Sequence, residues 1–253
     1  MSNTRLVFKD GIGFVSLADQ MGEPTPVKVV NAARISYKKQ IEEFSDKDAK
    51  LITYLLLHGH TSPFRHSYYT FHIKLPLFVA RQWMKYQVGS TWRSYEANDS
   101  EVSLATFDGL YDTDKGCSWN EVSGRYVQLQ PEFYIPGKLR ANTSHNGQAS
   151  TTLPLSFPHE DHKLKMMAEC EDAYRRYEQR LESGIAKEIA RMLLPQNIYT
   201  EAYWTVSLEG VIHMLTQRLD PSAQYEIRQY AEAIYRLVKP DLDVMGITRE
   251  MLV

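Results

Sequence analysis

The sequence has few cysteines, no excess of positive charge and no long apolar run, and each absence narrows the possible functions. Its two cysteines, Cys117 and Cys170, have neither the spacing of a metal site nor the number needed for a disulfide framework. The formal net charge of −2 argues against a general nucleic-acid binder, because such proteins present a basic surface to the phosphates. We therefore expect neither a bound metal nor a nucleic-acid partner.

Long apolar segments are also missing. No stretch approaches the roughly 18 residues that a membrane-spanning helix requires, and residues 1–10 lack the hydrophobic core of a signal peptide. We therefore expect a soluble, cytoplasmic protein without a membrane partner. Because no segment has the composition of a linker, the 253 residues are expected to form one domain, residues 1–253.

Hydrophobic periodicity predicts an α+β fold with a strand-rich first part and a helical second part. Residues 67–76 alternate between apolar and polar side chains, which predicts a strand, and residues 5–22 are expected to form short strands around two glycines. Helical spacing and capping residues predict helices over residues 26–39, 45–60, 76–88, 162–184, 186–194, 208–219 and 220–238. Ser207 is expected to cap the helix at 208–219, and Asp220 with Pro221 to open the last one.

Four clusters of polar residues are candidates for chemistry, although none matches a phosphate loop, a dinucleotide fingerprint or a zinc helix. The first is "HGHTSPFRH", residues 58–66. In the second, Arg81 and Lys85 lie one helical turn apart, so that an anion between them is plausible. The third, "SWNEVSGR" at 118–125, combines hydrogen-bonding side chains, a glycine that lets the backbone approach a ligand, and an arginine suited to phosphate. An ordinary solvated surface is the alternative for all three.

The fourth cluster consists of Arg191 and Arg218, which interrupt otherwise apolar helix faces. A charge in such a position is costly unless it is paired. Internal pairing with Glu188 or Glu226 would satisfy it, and so would an anionic ligand. The residues alone leave both possibilities open.

Taken together and in this order, these clusters resemble the flavin-dependent thymidylate synthases. The stretches that carry the resemblance are "VVNAARISY", "LLLHGHTSPFRH", "FHIKLPLFVARQW", "WNEVSGRY", "EFYIP", "EIARMLLPQNIYT" and "RLDPSAQYEIRQYA", between residues 29 and 238. The resemblance implies a central antiparallel sheet flanked by helices, assembled as a homotetramer whose active sites are shared between subunits.

The resemblance also implies the reaction, which would be the reductive methylation of dUMP to dTMP. The folate 5,10-methylenetetrahydrofolate would donate the carbon, NADPH would be the reductant and bound FAD the hydride carrier. By similarity, the dUMP-binding residues are Gln82, Lys85, Glu121, Val122, Ser123, Gly124, Arg125, Arg191 and Arg218. The FAD-binding residues are Ser36, His60, Ser62, Tyr86, Gln87, Val88, Asn120, Glu121, Ser207 and His213. Arg218 is implied as catalytic, because a buried cation stabilises an anionic uracil ring and so lowers the pKa of its ring nitrogen.

The sequence departs from the family pattern at several positions. Lys85, Tyr86 and Gln87 replace an Arg-His-Arg motif, and an inserted loop is expected at about residues 91–117. Arg65 stands where a glutamate is usual, and Glu209 where some members have a basic residue. Two alternatives therefore stay open. One is a related flavin-dependent enzyme that uses dCMP or forms a hydroxymethyl product, and the other is a lapsed homologue that only binds nucleotide or nucleic acid.

Overall fold

The centre of the fold is a five-stranded antiparallel sheet. The computed structural model describes residues 3–21, 25–86, 118–142, 150–154 and 156–253. The strands are β1 (Thr4–Leu6), β2 (Phe14–Gln20), β3 (Tyr68–Pro76), β4 (Ser118–Glu121), β5 (Arg140–Asn142), β6 (Ser150–Thr152) and β7 (Tyr199–Ser207). The sheet has the order β1-β2-β3-β7-β4, while β5 and β6 form a separate hairpin. The expected α+β architecture is thereby confirmed.

Strand β3 has the side-chain alternation that its sequence predicts. Tyr69, Phe71, Ile73 and Leu75 are all buried, and the residues between them are partly exposed. This is the period of two that an extended chain imposes on a sheet with one covered face. The neighbouring strand β7 pairs with β3 along its whole length, and its buried side chains Ala202, Trp204 and Val206 follow the same alternation. We did not predict β7 from the sequence.

The helices lie close to their predicted positions, and most are shorter than predicted, although the helix predicted at 162–184 begins at His159 and the last helix runs on to Val244. The helices are α1 (Thr25–Arg34), α2 (Asp46–Leu57), α3 (Leu77–Trp83), α4 (His159–Glu182), α5 (Lys187–Ala190), α6 (Leu208–Arg218) and α7 (Tyr225–Val244). The predicted cap of α6 is confirmed, since the Ser207 hydroxyl accepts a hydrogen bond from the backbone N–H of Gly210 at 3.2 Å. Within the described ranges, no helix combines the length and the apolar character needed to cross a bilayer.

The predicted start of the last helix was wrong. Helix α7 begins at Tyr225, with Gln224 as the N-cap, rather than at Asp220 and Pro221. The Asp220 carboxylate instead accepts hydrogen bonds from the backbone N–H and the hydroxyl of Ser222, at 2.7 and 2.5 Å. A short acidic side chain that bonds the backbone two residues ahead stabilises a turn in competition with the helix.

Aromatic packing fixes the helices that carry the site against the sheet. The fully buried Trp83 of α3 makes edge-on contacts with Trp204 of β7, at 5.4 Å between ring centroids, and with Tyr230 of α7, at 5.7 Å. Edge-to-face rings at these separations are favourable, and the large buried area adds to the effect. The end of α3 is thus held beside α7, which places the residues around Gln82 close to the start of that helix.

Candidate functional site

The end of α6 meets the segment that follows α3. The guanidinium carbon of Arg218, the last residue of α6, lies 5.3 Å from the ring centroid of Tyr86. The Tyr86 hydroxyl donates to Oε1 of Gln217 at 3.0 Å, and its ring lies 5.8 Å from that of His213. Burial raises the pKa of Tyr86, and the positive charge of Arg218 opposes that shift. Three positions predicted from the sequence, Tyr86, His213 and Arg218, therefore form one group.

Arg218 has unused hydrogen-bonding capacity at this position. Its Nε is buried and has no hydrogen-bond acceptor among the described residues. Within the same part of the chain, neither Arg218 nor Arg191 forms an ion pair, and Glu226 pairs with Arg140 instead. The proposed internal pairing with Glu188 or Glu226 is therefore not observed. A buried donor without an acceptor costs free energy, so this arrangement is suited to a polar or anionic ligand.

A chain of hydrogen bonds fixes the amide of Gln82. Its Nε2 donates to Oε1 of Gln224 at 2.5 Å, and Nε2 of Gln224 donates to Oε2 of Glu226 at 3.0 Å. Glu226 is buried, and its Oε1 accepts from Tyr134 at 3.0 Å and from Arg140 at 2.5 Å. Every buried polar partner that holds Gln82 in place is thus itself satisfied, which is the condition for a rigid polar network.

The carboxyl group of Glu226 gives this network a pH dependence. Burial acts to raise its pKa, but the hydrogen bonds from Gln224 and Arg140 outweigh burial, and the pKa lies below its usual value. The carboxylate therefore stabilises the fold at pH values above its ordinary range, and this stabilisation is lost as the pH falls through the lowered pKa.

We expect Glu226→Gln to lower the free energy of unfolding at pH 7 by roughly 3 kcal/mol, because Arg140 loses its buried counter-charge. The difference from the parent chain should shrink as the pH falls through the lowered pKa of Glu226, because the carboxyl of the folded parent chain then becomes protonated as well. Chemical denaturation at a series of pH values measures this difference in the free energy of unfolding. The control is Glu169→Gln, at an exposed position. A difference that does not change with pH would contradict the assigned role of the charge.

The turn after β4 forms a second group. An added Cβ at Gly124 would lie 2.9 Å from Cδ of Arg191, so only glycine lets that side chain pack against the turn. Ser123 Oγ accepts from the backbone N–H and the Nε of Arg125, both at 3.3 Å. Glu121 accepts from Thr200 at 2.9 Å and from the indole N–H of Trp119 at 3.1 Å. Exposed Arg125 thus belongs to the same turn against which partly exposed Arg191 packs.

The two groups are neighbours in one chain, since the ring of Trp83, next to Gln82, lies 6.4 Å from the ring of Trp119, whose indole N–H donates to Glu121. Among the described residues, no hydrogen bond or ion pair joins the turn at 121–125 to Gln82, Tyr86 or Arg218. Lys85 and Val122 are both exposed. The resemblance implies active sites shared between subunits, and within one chain these residues form two neighbouring groups without a direct polar contact among the described residues.

The residues expected to bind FAD differ in their exposure. Ser36, His60, Ser62 and Asn120 are exposed, and their side chains make no hydrogen bond within the described part of the chain. They can therefore donate to the ring or the phosphates of a flavin. Ser207 is buried and used as the cap of α6, while His213 is partly exposed and bonded to Gln217 at 3.2 Å. Gln87, Val88 and the expected insertion at 91–117 lie outside the described residues.

The two unusual charges, Arg65 and Glu209, form one ion pair, which the sequence reasoning missed. The Arg65 Nε donates to Oε2 of Glu209 in a short contact, and a second guanidinium nitrogen donates to Oε1 at 3.2 Å. Arg65 is half-exposed, whereas Glu209 is buried. Glu209 is one helical turn before His213, and Arg65 lies in the 3-10 turn Ser62–His66. The pair thus connects two segments expected to bind FAD.

Comparison with known proteins gives a consistent result. Residues 16–242 match the family model Thy1, described as thymidylate synthase complementing protein. The chain is 41% identical over 228 residues to a flavin-dependent thymidylate synthase of Thermus thermophilus, covering 90% of this chain and 72% of the relative. It is 37% identical over 233 residues to one from Thermosipho africanus, covering 90% and 86%.

Two solved structures resemble the whole chain. Both are of the UMP/dUMP methylase PolB from Streptomyces cacaoi. The form bound with 5-Br dUMP is 25% identical, with a TM-score of 0.67 over 99% of this chain and 95% of that chain. The form bound with 5-Br UMP is 26% identical, with a TM-score of 0.69 over 99% and 94%.

Proposed function

The chain belongs to the flavin-dependent thymidylate synthase family and methylates dUMP to dTMP, and we propose that it takes the carbon from 5,10-methylenetetrahydrofolate and the electrons from NADPH through bound FAD. The observation that carries the proposal is the unpartnered, buried Nε of Arg218 beside Tyr86, with the immobilised amide of Gln82 on the neighbouring helix. This arrangement offers donors to a planar, ionisable ring.

Arg218 is assigned the catalytic role. A guanidinium beside the uracil ring favours loss of the proton from the ring nitrogen, because the cation stabilises the anion that remains. The ionised ring is the better carbon nucleophile. Tyr86 holds the guanidinium from one side, and the unpartnered Nε remains for the ring. Since that Nε–H is already desolvated, its alignment requires little reorganisation.

The nucleotide is bound by both groups of residues. Gln82 and Lys85 hold the nucleotide, residues 121–125 surround its uracil, sugar and phosphate, and Arg191 is a second arginine that contacts it. Arg125 and Arg191 suit contact with the phosphate because a guanidinium can bond two phosphate oxygens at once. Since no hydrogen bond or ion pair joins the two groups in the described part of one chain, we propose that residues of neighbouring subunits in a homotetramer complete the site, with a folate-binding face beside it.

No cysteine is needed as a nucleophile in this reaction. Cys170 is buried, and burial raises the pKa of its thiol, so the reactive thiolate is scarce. Its sulfur contacts the side-chain amide of Asn197, at 3.3 Å from Nδ2, rather than a base that would activate it. Cys117 lies outside the described residues. The scarcity of cysteine also underlies the cytoplasmic location that we propose.

FAD supplies the hydride when it is bound. The free side chains of Ser36, His60, Ser62 and Asn120 fit its need for hydrogen-bonding partners. Tyr86 keeps an aromatic ring where the family has histidine, and its contact with Arg218 adds a second task, that of positioning the guanidinium. The replacement of the Arg-His-Arg motif therefore changes how the flavin ring is held. A positive charge remains at Lys85, within the motif, and another at Arg218, beside Tyr86. Gln87 and Val88 complete the proposed flavin set.

Tritium release from dUMP labelled at C5 tests the proposal. We expect release that requires FAD, NADPH and methylenetetrahydrofolate, with dTMP as the product by mass spectrometry. A hydroxymethylated product, or a preference for dCMP, would identify one of the related enzymes instead. A purified protein that takes up no flavin and releases no tritium would indicate a homologue that only binds.

UMP is a second candidate substrate, favoured by the similarity to the PolB structures. The ratio of kcat/KM for dUMP to that for UMP decides between them, because it measures discrimination at the transition state. We expect a ratio well above ten in favour of dUMP, given the greater identity to the thymidylate synthases. A ratio below one would assign the chain to ribonucleotide methylation.

A further inference from the structure

A large cavity lies between the β5–β6 hairpin and the start of α7. Its volume is about 590 Å³, which is in the range of small-molecule sites. None of the described lining residues is acidic. Four of them are cationic, namely Lys9, Lys138, Arg140 and Arg228. The lining shares no residue with the sets proposed to bind dUMP and FAD.

The positive charge of the cavity is only partly balanced. Arg140 forms its ion pair with the buried Glu226. In the described part of the chain, no carboxylate lies within ion-pair distance of Lys9, Lys138 or Arg228. Like charges in a concave site repel one another and create a positive potential that attracts anions.

The arginines are also held in defined positions. The Nε of Arg140 donates to the hydroxyl of Ser150 at 2.9 Å, and Nη1 of Arg228 donates to the carbonyl of Pro221 at 2.8 Å. Both guanidinium carbons face the ring of Tyr225, at 4.9 and 6.0 Å from its centroid. Fixed guanidinium groups lose less side-chain entropy on binding than freely moving lysines on a flat surface.

From this arrangement we propose that the cavity binds a small molecule through two or more closely spaced anionic groups. The molecule would lie beside the proposed nucleotide site, because Arg140 and Gln82 are joined through Glu226 and Gln224. The proposed function offers two sources of such groups, namely the phosphates of NADPH and the carboxylates of a folate polyglutamyl tail. The identity of the ligand rests on that function, but the anion site itself does not.

Direct binding measured by calorimetry tests the inference without any turnover. The probes are 2′,5′-ADP for the phosphate source and a γ-linked tetraglutamate for the carboxylate source, each titrated both without dUMP and with dUMP at saturation. Tighter binding of one probe identifies the source. We expect binding that weakens as salt is added, since screening reduces the attraction.

The variant for this test is Lys138→Gln with Arg228→Gln, and Lys50→Gln is its control. We expect about a hundredfold weaker binding in the double variant, since each charged hydrogen bond lost typically costs about tenfold. Arg228→Lys should recover part of the loss. Lys50 follows Ala49, which packs near Gly246, and Gly246 lies beyond the end of α7 that is far from the cavity. Substitution of Lys50 should therefore leave the binding of both probes unchanged.

Three results would overturn the inference: no binding of either probe, binding that the double variant retains, or displacement of the probe by dUMP. The last would make the cavity part of the nucleotide site. None of them affects the tritium-release assay, so failure of this inference and failure of the proposed function can be told apart.

Discussion

Replacing Arg218 by alanine is expected to lower kcat with dUMP by roughly a hundredfold to a thousandfold while the fold remains intact. Removal of a single aligned electrostatic donor commonly has an effect of this size. The fold should survive because Arg218 has no ion pair among the described residues and its Nε bonds to none of them. What is lost is the contact with Tyr86 and the cation that we propose lies beside the pyrimidine.

The pH dependence of kcat separates this role from simple misfolding. Without the guanidinium, the uracil nitrogen loses its proton less readily, so the remaining activity should rise at higher pH than in the parent chain. Arg218→Lys should restore part of the rate by restoring the charge. The exposed Arg236→Ala serves as the matched control and should leave kcat unchanged. Full activity in Arg218→Ala would refute the assigned role.

Exchanging the charges of Arg65 and Glu209 is the second large expected effect. Arg65→Glu places two carboxylates together, and Glu209→Arg places two cations together, so each single variant loses the attraction and gains repulsion. We expect a loss of about 1–3 kcal/mol in the free energy of unfolding, because Glu209 is buried whereas Arg65 is half-exposed. Flavin content should fall as well, since the pair joins the segments proposed to hold FAD.

The double variant Arg65→Glu with Glu209→Arg should recover most of both losses. A double-mutant cycle isolates the coupling between the two residues, and flavin absorbance of the purified variants gives the cofactor content. The same exchange at the exposed pair Lys239 and Asp243 is the control, for which little change is expected. Strictly additive effects at Arg65 and Glu209 would show that the two substitutions are independent departures from the family pattern.

Much of the fold could be predicted from local sequence signals. The alternation in β3 and the apolar spacing in α2, α6 and α7 each come from one segment and one buried face, so the segment itself contains the information. Ser207 was predicted as a cap for the same reason, because capping is a contact over three residues. On α4 the predicted stripe is buried at Tyr174 and Tyr177 but exposed at Leu164.

Longer-range contacts escaped prediction. The strand β7 lies between β3 and β4, although more than a hundred residues separate it from β3 along the chain. The start of α7 was misplaced because the turn at Asp220 competes with helix formation. The basic cavity was not predicted, since Lys9, Lys138 and Arg228 come from distant parts of the sequence.

The sequence by itself determined the family, the α+β class and the residue types available for chemistry, since motifs and periodicity are local and ordered along the chain. Only the tertiary structure decided which of those residues meet. It brought Tyr86 to Arg218, assigned Glu226 to Arg140, and paired Arg65 with Glu209. The reason is physical: ion pairing and burial depend on distances through space, and these exist only once the helices have packed against the sheet.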